Sequence, residues 1–356
     1  MSLTVTQEVL HLTFRDPFVI ARTDHASGDG VTTVIVEVRD DRFPDVVGVG
    51  EGYPDRFYGE TPDTMAAIFP YLLSLADDFA LGLDDVTSAR RQLAAVTGAW
   101  GKSLRWNGGA KCALDIALHD FAGKVLGIPV YELIDLPAEI PPTDFTIGID
   151  EPAIVAQRAA RAAAFPALKI KCGGPQDLET LRAVREVFAG PIRIDANTGW
   201  TREDAERLLP EVVGLGVELI EQPFPARAYR DLGWLQERSS IPIVADESAV
   251  TEEDLDALVG VVGGVNVKLA KCGGIGPAKA MLERAHELGF KTFLGCMEET
   301  SVGIAASAAV ASLADWIDLD GCLLLADDPF VGLELDADHR WILTRRPGLG
   351  LTLRRT

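Results

Sequence analysis

The sequence predicts an α/β protein whose larger part is a barrel of parallel strands, joined to a smaller α+β module. From about residue 145, short β-branched runs recur roughly every 25 residues, which is the length of one strand, one helix and two short loops. Eight such strands alternating with helices imply a parallel sheet closed as a barrel. A doubly wound open sheet is the alternative, but it would normally carry a Gly-rich fingerprint after its first strand. The predicted strands are Phe145–Ile149, Ala167–Lys171, Ile192–Ala196, Glu218–Glu221, Ile243–Ala245, Val265–Leu269, Thr292–Leu294 and Trp316–Leu319.

The segments between these runs have the marks of amphipathic helices. In Asp177–Gly190 the apolar residues repeat at helical spacing, and Gly190 stands where a C-terminal cap is expected. Thr201 and Thr251 each precede an aspartate by three residues, which is the pattern of a helix-starting capping box. Helices in these places support the alternating barrel.

The two flanks of the chain differ from this repeat. The first part predicts three strands and two helices, with Gly48–Gly52 as a turn signal, and the tail again has strand-like runs. We expect residues 1–125 to form the α+β module, residues 126–325 the barrel, and residues 326–356 a tail that packs back on the module. The flanking strands are Thr4–Phe14, Val31–Val38, Val46–Glu51, Leu333, Trp341–Leu343 and Leu351–Leu353, and the helices are Thr61–Phe79 and Ala110–Val125.

Composition and charge exclude several classes of function. Lys and Arg number 33 against 54 Asp and Glu, so the net charge is −21, which argues against nucleic acid or an anionic membrane as partner. No uncharged apolar run reaches the roughly 18 residues that a membrane span needs. The N-terminus lacks the pattern of a signal peptide, and 5 cysteines without a CxxC motif predict neither a disulfide framework nor a zinc site. We expect a reduced, cytoplasmic protein.

Acidic residues stand at the ends of three successive predicted strands. Asp195, Glu221 and Asp246 each close a strand at a matching height, and reacting groups of parallel barrels sit at these carboxyl ends. Three carboxylates in one barrel mouth would repel one another unless a hard cation bound them, and all-oxygen ligands suit Mg²⁺ or Mn²⁺. The alternative is that each acid caps the helix that follows. Three acids in register favour the metal site.

Lysines flank these acids. Lys169 and Lys171 are two residues apart, so on one strand they point to the same side and should lower each other's pKa. Lys268, at the end of the sixth strand, lies across the barrel from them, and two opposed lysines suit a two-base proton transfer at carbon. Lys271 competes with Lys268 for this role, but its odd offset along a strand turns it to the other face. The alternative is that these lysines merely extend toward solvent at strand ends.

After the eighth strand, Asp318 and Asp320 lie on one face. Two carboxylates there form an anionic clamp suited to the ammonium group of a substrate. A solvated, Asp-rich loop is the alternative reading of the same residues.

Taken together, these motifs resemble the enolase superfamily, in its muconate-lactonizing-enzyme subgroup. The residues that carry the resemblance are Lys169-x-Lys171, Asp195-x-Asn197, Glu221-Gln-Pro223, Asp246-Glu-Ser248 and Lys268 before Gly273-Gly274. The likeness covers nearly the whole chain and implies a modified TIM barrel, (β/α)7β, with an α+β capping domain. It also implies Mg²⁺ on Asp195, Glu221 and Asp246, with Lys171 and Lys268 as acid/bases and Lys169 as electrostatic support.

Within that subgroup the Asp-x-Asp after the eighth strand is similar to that of dipeptide epimerases, such as the L-Ala-D/L-Glu type. Other shared segments are Pro17–Arg22, Tyr58–Glu60, Gly295–Met297 and Asp318–Gly321. The resemblance implies a homo-oligomer that inverts the α-carbon of a dipeptide's C-terminal residue through an enediolate stabilised by the metal. An N-acylamino-acid racemase or muconate-type cycloisomerase on the same site stays open, as does a barrel that binds a ligand without catalysis.

The substrate side chain is expected to meet residues in which this chain departs from the L-Ala-D/L-Glu epimerases. Those enzymes carry an arginine in the loop after the first strand, where His25 stands here next to Asp24. Glu298, after Met297, replaces a usual apolar residue. These four residues predict a pocket that disfavours an acidic side chain and accepts a neutral or basic one. An alignment shifted by a few positions brings Arg22 into the arginine's place instead.

Overall fold

The computed structural model describes residues 3–22, 30–76 and 78–354. Within these residues the strands are β1 (Leu3–Thr13), β2 (Gly30–Asp40), β3 (Gly48–Gly52), β4 (Phe145–Ile147), β5 (Leu168–Lys171), β6 (Ile192–Asp195), β7 (Val217–Glu221), β8 (Ile243–Ala245), β9 (Gly264–Val267), β10 (Lys291–Gly295), β11 (Trp316–Asp318), β12 (Phe330–Val331) and β13 (Thr352–Leu353). The helices are α1 (Pro62–Ser74), α2 (Val86–Ser103), α3 (Gly108–Leu126), α4 (Val130–Leu133), α5 (Pro152–Arg161), α6 (Asp177–Val187), α7 (Arg202–Gly214), α8 (Tyr229–Gln236), α9 (Leu255–Leu258), α10 (Leu269–Cys272), α11 (Ile275–Glu287), α12 (Ser301–Ala308) and α13 (Gly321–Leu324).

Strands β4 to β11 form one parallel sheet that curls into a barrel. Each strand pairs with the next one along the chain, from β4 at one end of the sheet to β11 at the other. A parallel bridge between Thr143 and Ile317 joins these two ends. The predicted barrel of eight parallel strands is therefore confirmed, and strands four apart in its order, such as β5 and β9, lie on opposite sides.

The N-terminal module is an antiparallel sheet covered by helices. Its strand order is β1-β2-β3, and α3 packs against β3. Gly48, Gly50 and Gly52 all face α3, where a Cβ atom would lie within 2.4 Å of the carbonyl oxygens of Ala117, Ala113 and Gly109. These glycines are thus part of a strand in close contact with a helix, as the predicted strand Val46–Glu51 requires, and the turn signal at Gly48–Gly52 is wrong.

Several element ends differ from the predictions because local contacts decide them. Helix α6 ends at Val187 with extended backbone at Phe188, so Gly190 is not its cap, although the carbonyl of Gly190 accepts a hydrogen bond from Arg185. The capping box at Thr201 is present, and that at Thr251 starts a short 3₁₀ helix. The largest omission is α2, whose long helix buries only Ala89, Leu93, Val96 and Trp100.

The C-terminal tail contacts both the module and the barrel. The Ala326 amide donates to the Thr13 carbonyl, and the Leu349 amide donates to Asp120 on α3. The Trp341 indole donates to the carbonyl of Leu319 at the end of the barrel. The tail strands of the structure are β12 and β13, so the strands predicted at Leu333 and Trp341–Leu343 are wrong; Trp341 forms only an isolated bridge to Leu335.

Candidate active site

The carboxyl ends of three neighbouring strands bring three acids together. Asp195 and Glu221 are the last residues of β6 and β7 and are paired in register, and Asp246 directly follows β8. One carboxylate oxygen of each lies within 4.8 Å of the others, and all three side chains are buried. The parallel register produces this cluster, because equivalent positions of adjacent strands stand at one height.

The surroundings of the three acids separate their pKa values. Burial and the neighbouring Asp195 raise the pKa of Glu221 to about 7. Burial acts the same way on Asp246, but Lys268 and Lys271 outweigh it and hold the pKa of Asp246 well below its usual range. For Asp195, burial is outweighed by Lys171 and Lys169, so its pKa is also lowered.

Lys169 lies at the centre of this cluster and is only 1% exposed. Its Nζ atom is 2.8 Å from Glu221 Oε2, 2.8 Å from Asp318 Oδ2 and 3.3 Å from Asp195 Oδ2. Burial lowers the pKa of Lys169, but these acids together raise it well above its usual value. The expected lowering by a neighbouring lysine is therefore wrong for Lys169, because carboxylates surround it more closely than Lys171 does.

Lys171 and Lys268 lie on opposite sides of the cluster, at the ends of β5 and β9. Lys171 Nζ donates to Asp195 Oδ2 at 2.7 Å, and Lys268 Nζ donates to Asp246 Oδ2 at 2.9 Å. Both side chains also line the cavity above the acids. For Lys268, burial is outweighed by Asp246, so its pKa is raised well above the usual value. Two proton-carrying groups thus face one cavity from two sides.

The cluster fits a hard divalent cation. It offers only carboxylate oxygens, which Mg²⁺ and Mn²⁺ prefer. Among the described residues, the buried Oε2 atom of Glu221 has no hydrogen-bond partner and only the ion-pair contact with Lys169. Together with Asp195 and Asp246, whose carboxylate oxygens lie within 4.8 Å of its own, Glu221 could therefore ligate such a cation.

The Asp318 and Asp320 side chains lie beside the cluster and line the same cavity. Both are tied to Thr146 on β4, whose hydroxyl donates to Asp318 Oδ1 at 2.9 Å and whose amide donates to Asp320 Oδ2 at 2.5 Å. Lys169 lowers the pKa of Asp318 against the effect of burial, whereas burial and Asp318 raise that of Asp320. Asp318 therefore belongs to the ion-pair network of the barrel as well as to the cavity wall.

The wall opposite the strand ends, called the cap wall below, comes from the N-terminal module and the loop after β10. The Tyr53 hydroxyl donates to Glu298 Oε2 at 2.8 Å, and the Phe57 amide donates to Asp55. Burial raises the pKa of Asp55. Met297 lines the cavity next to Glu298, so two of the four predicted side-chain contacts lie at this wall.

Arg22 also reaches the cavity, but its positive charge is neutralised by an ion pair with an acidic residue. Its guanidinium forms an ion pair with the buried Glu247 and lies 4.2 Å from the centre of the Phe57 ring. The other two predicted contacts, Asp24 and His25, lie outside the described residues.

Two polar side chains of this site are absent from the sequence prediction, and a third is placed wrongly by it. Thr146 pairs with Lys169 in the β4–β5 register, and Asn266 on β9 donates to Glu221 Oε1 at 2.7 Å. Each is a polar residue inside an otherwise apolar strand, and that signal could have identified both. Lys271 was assigned to a strand face, but β9 ends at Val267 and Lys271 lies on α10, where it contacts Asp246.

These walls enclose a cavity of about 520 Å³ at the carboxyl end of the barrel. It is bounded by β-strand ends on one side and by the segment 53–58 of the module on the other. Within the described part of the chain, no helix has both the length and the apolar character needed to cross a membrane.

Comparison with known proteins agrees with this architecture. Residues 2–135 match the mandelate racemase / muconate lactonizing enzyme N-terminal domain, and residues 153–356 match the enolase C-terminal domain-like family. The chain is 37% identical over 314 residues to the L-Ala-D/L-Glu epimerase of Bacteroides thetaiotaomicron, covering 87% of this chain and 79% of that one. It is 36% identical over 355 residues to the L-Lys-D/L-Arg epimerase of Methylococcus capsulatus, covering 96% of both.

A solved structure shares the whole fold. The dipeptide epimerase of Enterococcus faecalis, complexed with Mg and L-Leu-L-Tyr, superposes with a TM-score of 0.87 at 29% identity, covering 99% of this chain and 100% of that one. With both domains matched and the barrel, cap and acidic cluster in place, this chain belongs to the enolase superfamily, in its mandelate racemase / muconate lactonizing enzyme group.

Proposed function

We propose that this protein is a dipeptide epimerase that inverts the α-carbon of the C-terminal residue by proton transfer between Lys171 and Lys268. The observation that carries the proposal is the placement of these two ammonium groups on opposite sides of one cavity, above three clustered carboxylates. Inversion at carbon requires a proton to leave one face and another to arrive on the opposite face. The names of the relatives support dipeptides as the substrate class.

Asp195, Glu221 and Asp246 would hold Mg²⁺, or Mn²⁺ in its place. A cation there supplies positive charge that stabilises the negative charge developing on the substrate carboxylate and favours the neutral, basic form of the nearby lysines. Lys169 contributes a further fixed positive charge, since it is buried and contacts two of the three acids.

The two cavity lysines divide the proton transfer. One removes the α-proton, which leaves an enediolate, and the other donates a proton to the opposite face. Asp195 and Asp246 orient them, because each accepts a hydrogen bond from one lysine. Their positions, on β5 and directly after β9 on the opposite side of the barrel, give each lysine one face of the substrate.

Asp318 and Asp320 would bind the ammonium group of the dipeptide. Both are buried carboxylates that line the cavity beside Lys169 and are oriented by Thr146. A substrate ammonium would then donate to two acids, and such charge-assisted hydrogen bonds are stronger than neutral ones. An N-acylated amino acid has no ammonium group and gains nothing from this pair.

The side chain of the epimerised residue is proposed to be neutral or basic. Arg22 is neutralised by Glu247, while Asp55 and Glu298 contact only neutral donors at the cap wall. Arg56 also lines the cavity but is exposed at its rim. Among the described residues of this wall, a buried acidic side chain would therefore meet carboxylates without a free buried cation to pair with. Asp24 and His25 are proposed to complete this pocket.

The test is a library of mixed dipeptides incubated in D₂O, with deuterium uptake at each α-carbon read by mass spectrometry. We expect uptake at the C-terminal residue only, with loss of the signal on chelation and its return with Mg²⁺. A higher kcat/KM for L-Ala-L-Lys and L-Ala-L-Phe than for L-Ala-L-Glu supports the side-chain proposal, and the reverse order contradicts it. Absence of uptake from every dipeptide would leave a ligand-binding barrel as the better description.

A further inference from the structure

Lys271 is a buried lysine that the proposed proton transfer does not use. Its side chain is 0% exposed and does not line the catalytic cavity. It lies on α10, three residues beyond Lys268. A buried ammonium group is costly, so its partners should reveal what it does.

Every partner of Lys271 belongs to the structure around Asp246. Its Nζ atom donates to Asp246 Oδ1 at 2.5 Å, to the Asp246 carbonyl at 2.7 Å, and to the carbonyls of Ala249 and Asn266 at 2.9 Å. The three ammonium protons are thus shared among acceptors that converge on one side chain and on the loop that carries it. Lys268 takes the other carboxylate oxygen, Oδ2.

The same segment also holds a second acid of the cluster. Asn266 donates its side-chain amide to Glu221 Oε1 at 2.7 Å, and its carbonyl accepts from Lys271. Two of the three carboxylates, Glu221 and Asp246, are therefore held by residues only five positions apart. Asp195 is held separately, by Lys171 and by the amide of Asn197.

The backbone of this segment is itself fixed. Gly273 and Gly274 adopt φ values of 106° and 122°, which side-chain-bearing residues rarely take, and end α10 in a tight turn. Asp115 on α3 accepts from the Ile275 amide at 2.6 Å just beyond this turn. Lys271 is thereby anchored from both sides.

We propose that Lys271 is a positioning residue that sets the affinity of the site for a divalent cation by holding Asp246 in place. The proposal rests on the proposed function only in that the three carboxylates hold such a cation. Removal of Lys271 changes cation affinity in two opposite ways. The loss of a positive charge near the acids strengthens cation binding. The loss of the contacts that orient Asp246 weakens cation binding. The sign of the change therefore separates the two effects.

The experiment measures Mn²⁺ binding to the metal-free protein by the loss of the free Mn²⁺ signal in electron paramagnetic resonance. We expect Lys271→Met to weaken Mn²⁺ binding by about 10- to 100-fold, the usual cost of removing a group that orients a metal ligand. Unchanged or tighter binding overturns the proposal. If the wild-type protein itself binds no Mn²⁺, the proposed metal site fails first, and the inference fails with it.

Lys111→Met is the matched control. Lys111 is also a buried lysine, lies against Gly273 from α3, and donates to the carbonyl of Leu104 rather than to a carboxylate of the cluster. We expect it to lower thermal stability without changing Mn²⁺ affinity; an equal loss of affinity in both variants contradicts a specific role of Lys271. If Lys271→Met does not fold, Lys271→Gln tests the same contacts, because it keeps a polar side chain but removes the ammonium group that holds Asp246. Wild-type Mn²⁺ affinity in that variant overturns the proposal.

Discussion

The charged groups on the two walls of the cavity have different partners. On the barrel side, Lys169, Lys171 and Lys268 each have Nζ within 3 Å of a carboxylate oxygen. On the cap side, Glu298 and Asp55 accept hydrogen bonds only from neutral groups, the Tyr53 hydroxyl and a backbone amide. The strands of the barrel hold the first set in register, whereas the second set stands on irregular segments.

This difference assigns proton transfer to the barrel wall and selection of the substrate side chain to the cap wall. Ion pairs on adjacent strands fix atoms to within narrow limits, which proton transfer at carbon requires. Half-buried carboxylates with neutral partners keep their charge available for a ligand, which selection of a side chain requires. The barrel wall is therefore expected to govern kcat, and the cap wall to govern preference among substrates.

The largest effect is expected at the barrel wall. Lys171→Ala and Lys268→Ala should each lower the rate of epimerisation by about 10²- to 10⁴-fold, because each removes one of two proton carriers. Chiral chromatography of the product measures this rate, and one variant is expected to keep exchanging the α-proton of a single stereoisomer in D₂O. Lys102→Ala, on the exposed end of α2, serves as the control. Full epimerisation by either cavity variant contradicts the two-base assignment.

A smaller effect is expected at Asp318 and Asp320, the anionic clamp proposed to bind the substrate ammonium group. Asp320→Asn should lower kcat/KM for dipeptides by roughly 10- to 100-fold, the value of hydrogen bonds to a charged group, and should spare N-acylated amino acids. Asp318→Asn should impair both substrate classes, because Lys169 then loses an ion pair. Equal losses on dipeptides and N-acyl substrates with Asp320→Asn would contradict a role of Asp320 in binding the ammonium group of the dipeptide.

Substitutions at the cap wall should change the preference among dipeptide substrates and have little effect on the rate of proton transfer. Glu298→Leu is expected to lower kcat/KM for L-Ala-L-Lys relative to L-Ala-L-Phe by about tenfold, since it removes one charge-assisted contact. Tyr53→Phe keeps the carboxylate and removes only its donor, so it should retain the preference for lysine. A loss of activity toward both dipeptides with Glu298→Leu would place Glu298 among the groups that catalysis needs.

The smallest effect concerns stability, at an ion pair away from the cavity. His119 Nδ1 lies 3.3 Å from Asp115 Oδ2 on α3, and this acid outweighs burial and raises the pKa of His119. The folded state therefore binds the proton more tightly than the unfolded state does, so the stabilisation is complete below the usual His pKa of about 6.5 and is lost as the pH rises through the folded pKa. Urea unfolding from pH 6 upward should show this loss in the wild-type protein and not in His119→Gln. Parallel pH profiles for the two proteins would contradict it.

The barrel could be predicted in detail because its signals are local. A strand that is buried on both faces is a short β-branched run, and the acids at three of these runs stand at the same height in any parallel barrel. Helix α2 is absent from the prediction, although its buried residues Ala89, Leu93, Val96 and Trp100 repeat at helical spacing. The glycines of β3 were misread because a strand in close contact with a helix and a turn use the same residue.

By itself, the sequence determined the parallel barrel, the three carboxylates at its strand ends and the two opposed lysines, since these follow from the repeat of the strands and from the place of each residue at a strand end. Only the tertiary structure decided that Lys271 holds Asp246, that Asp318 pairs with Lys169, and that Glu247 neutralises Arg22. These contacts join residues that are far apart in the sequence and stand on different elements. The closure of the barrel and the position of α10 bring their side chains within contact distance. Strand periodicity carries no information about them, because a side chain's partners across a cavity depend on the packing of the whole fold.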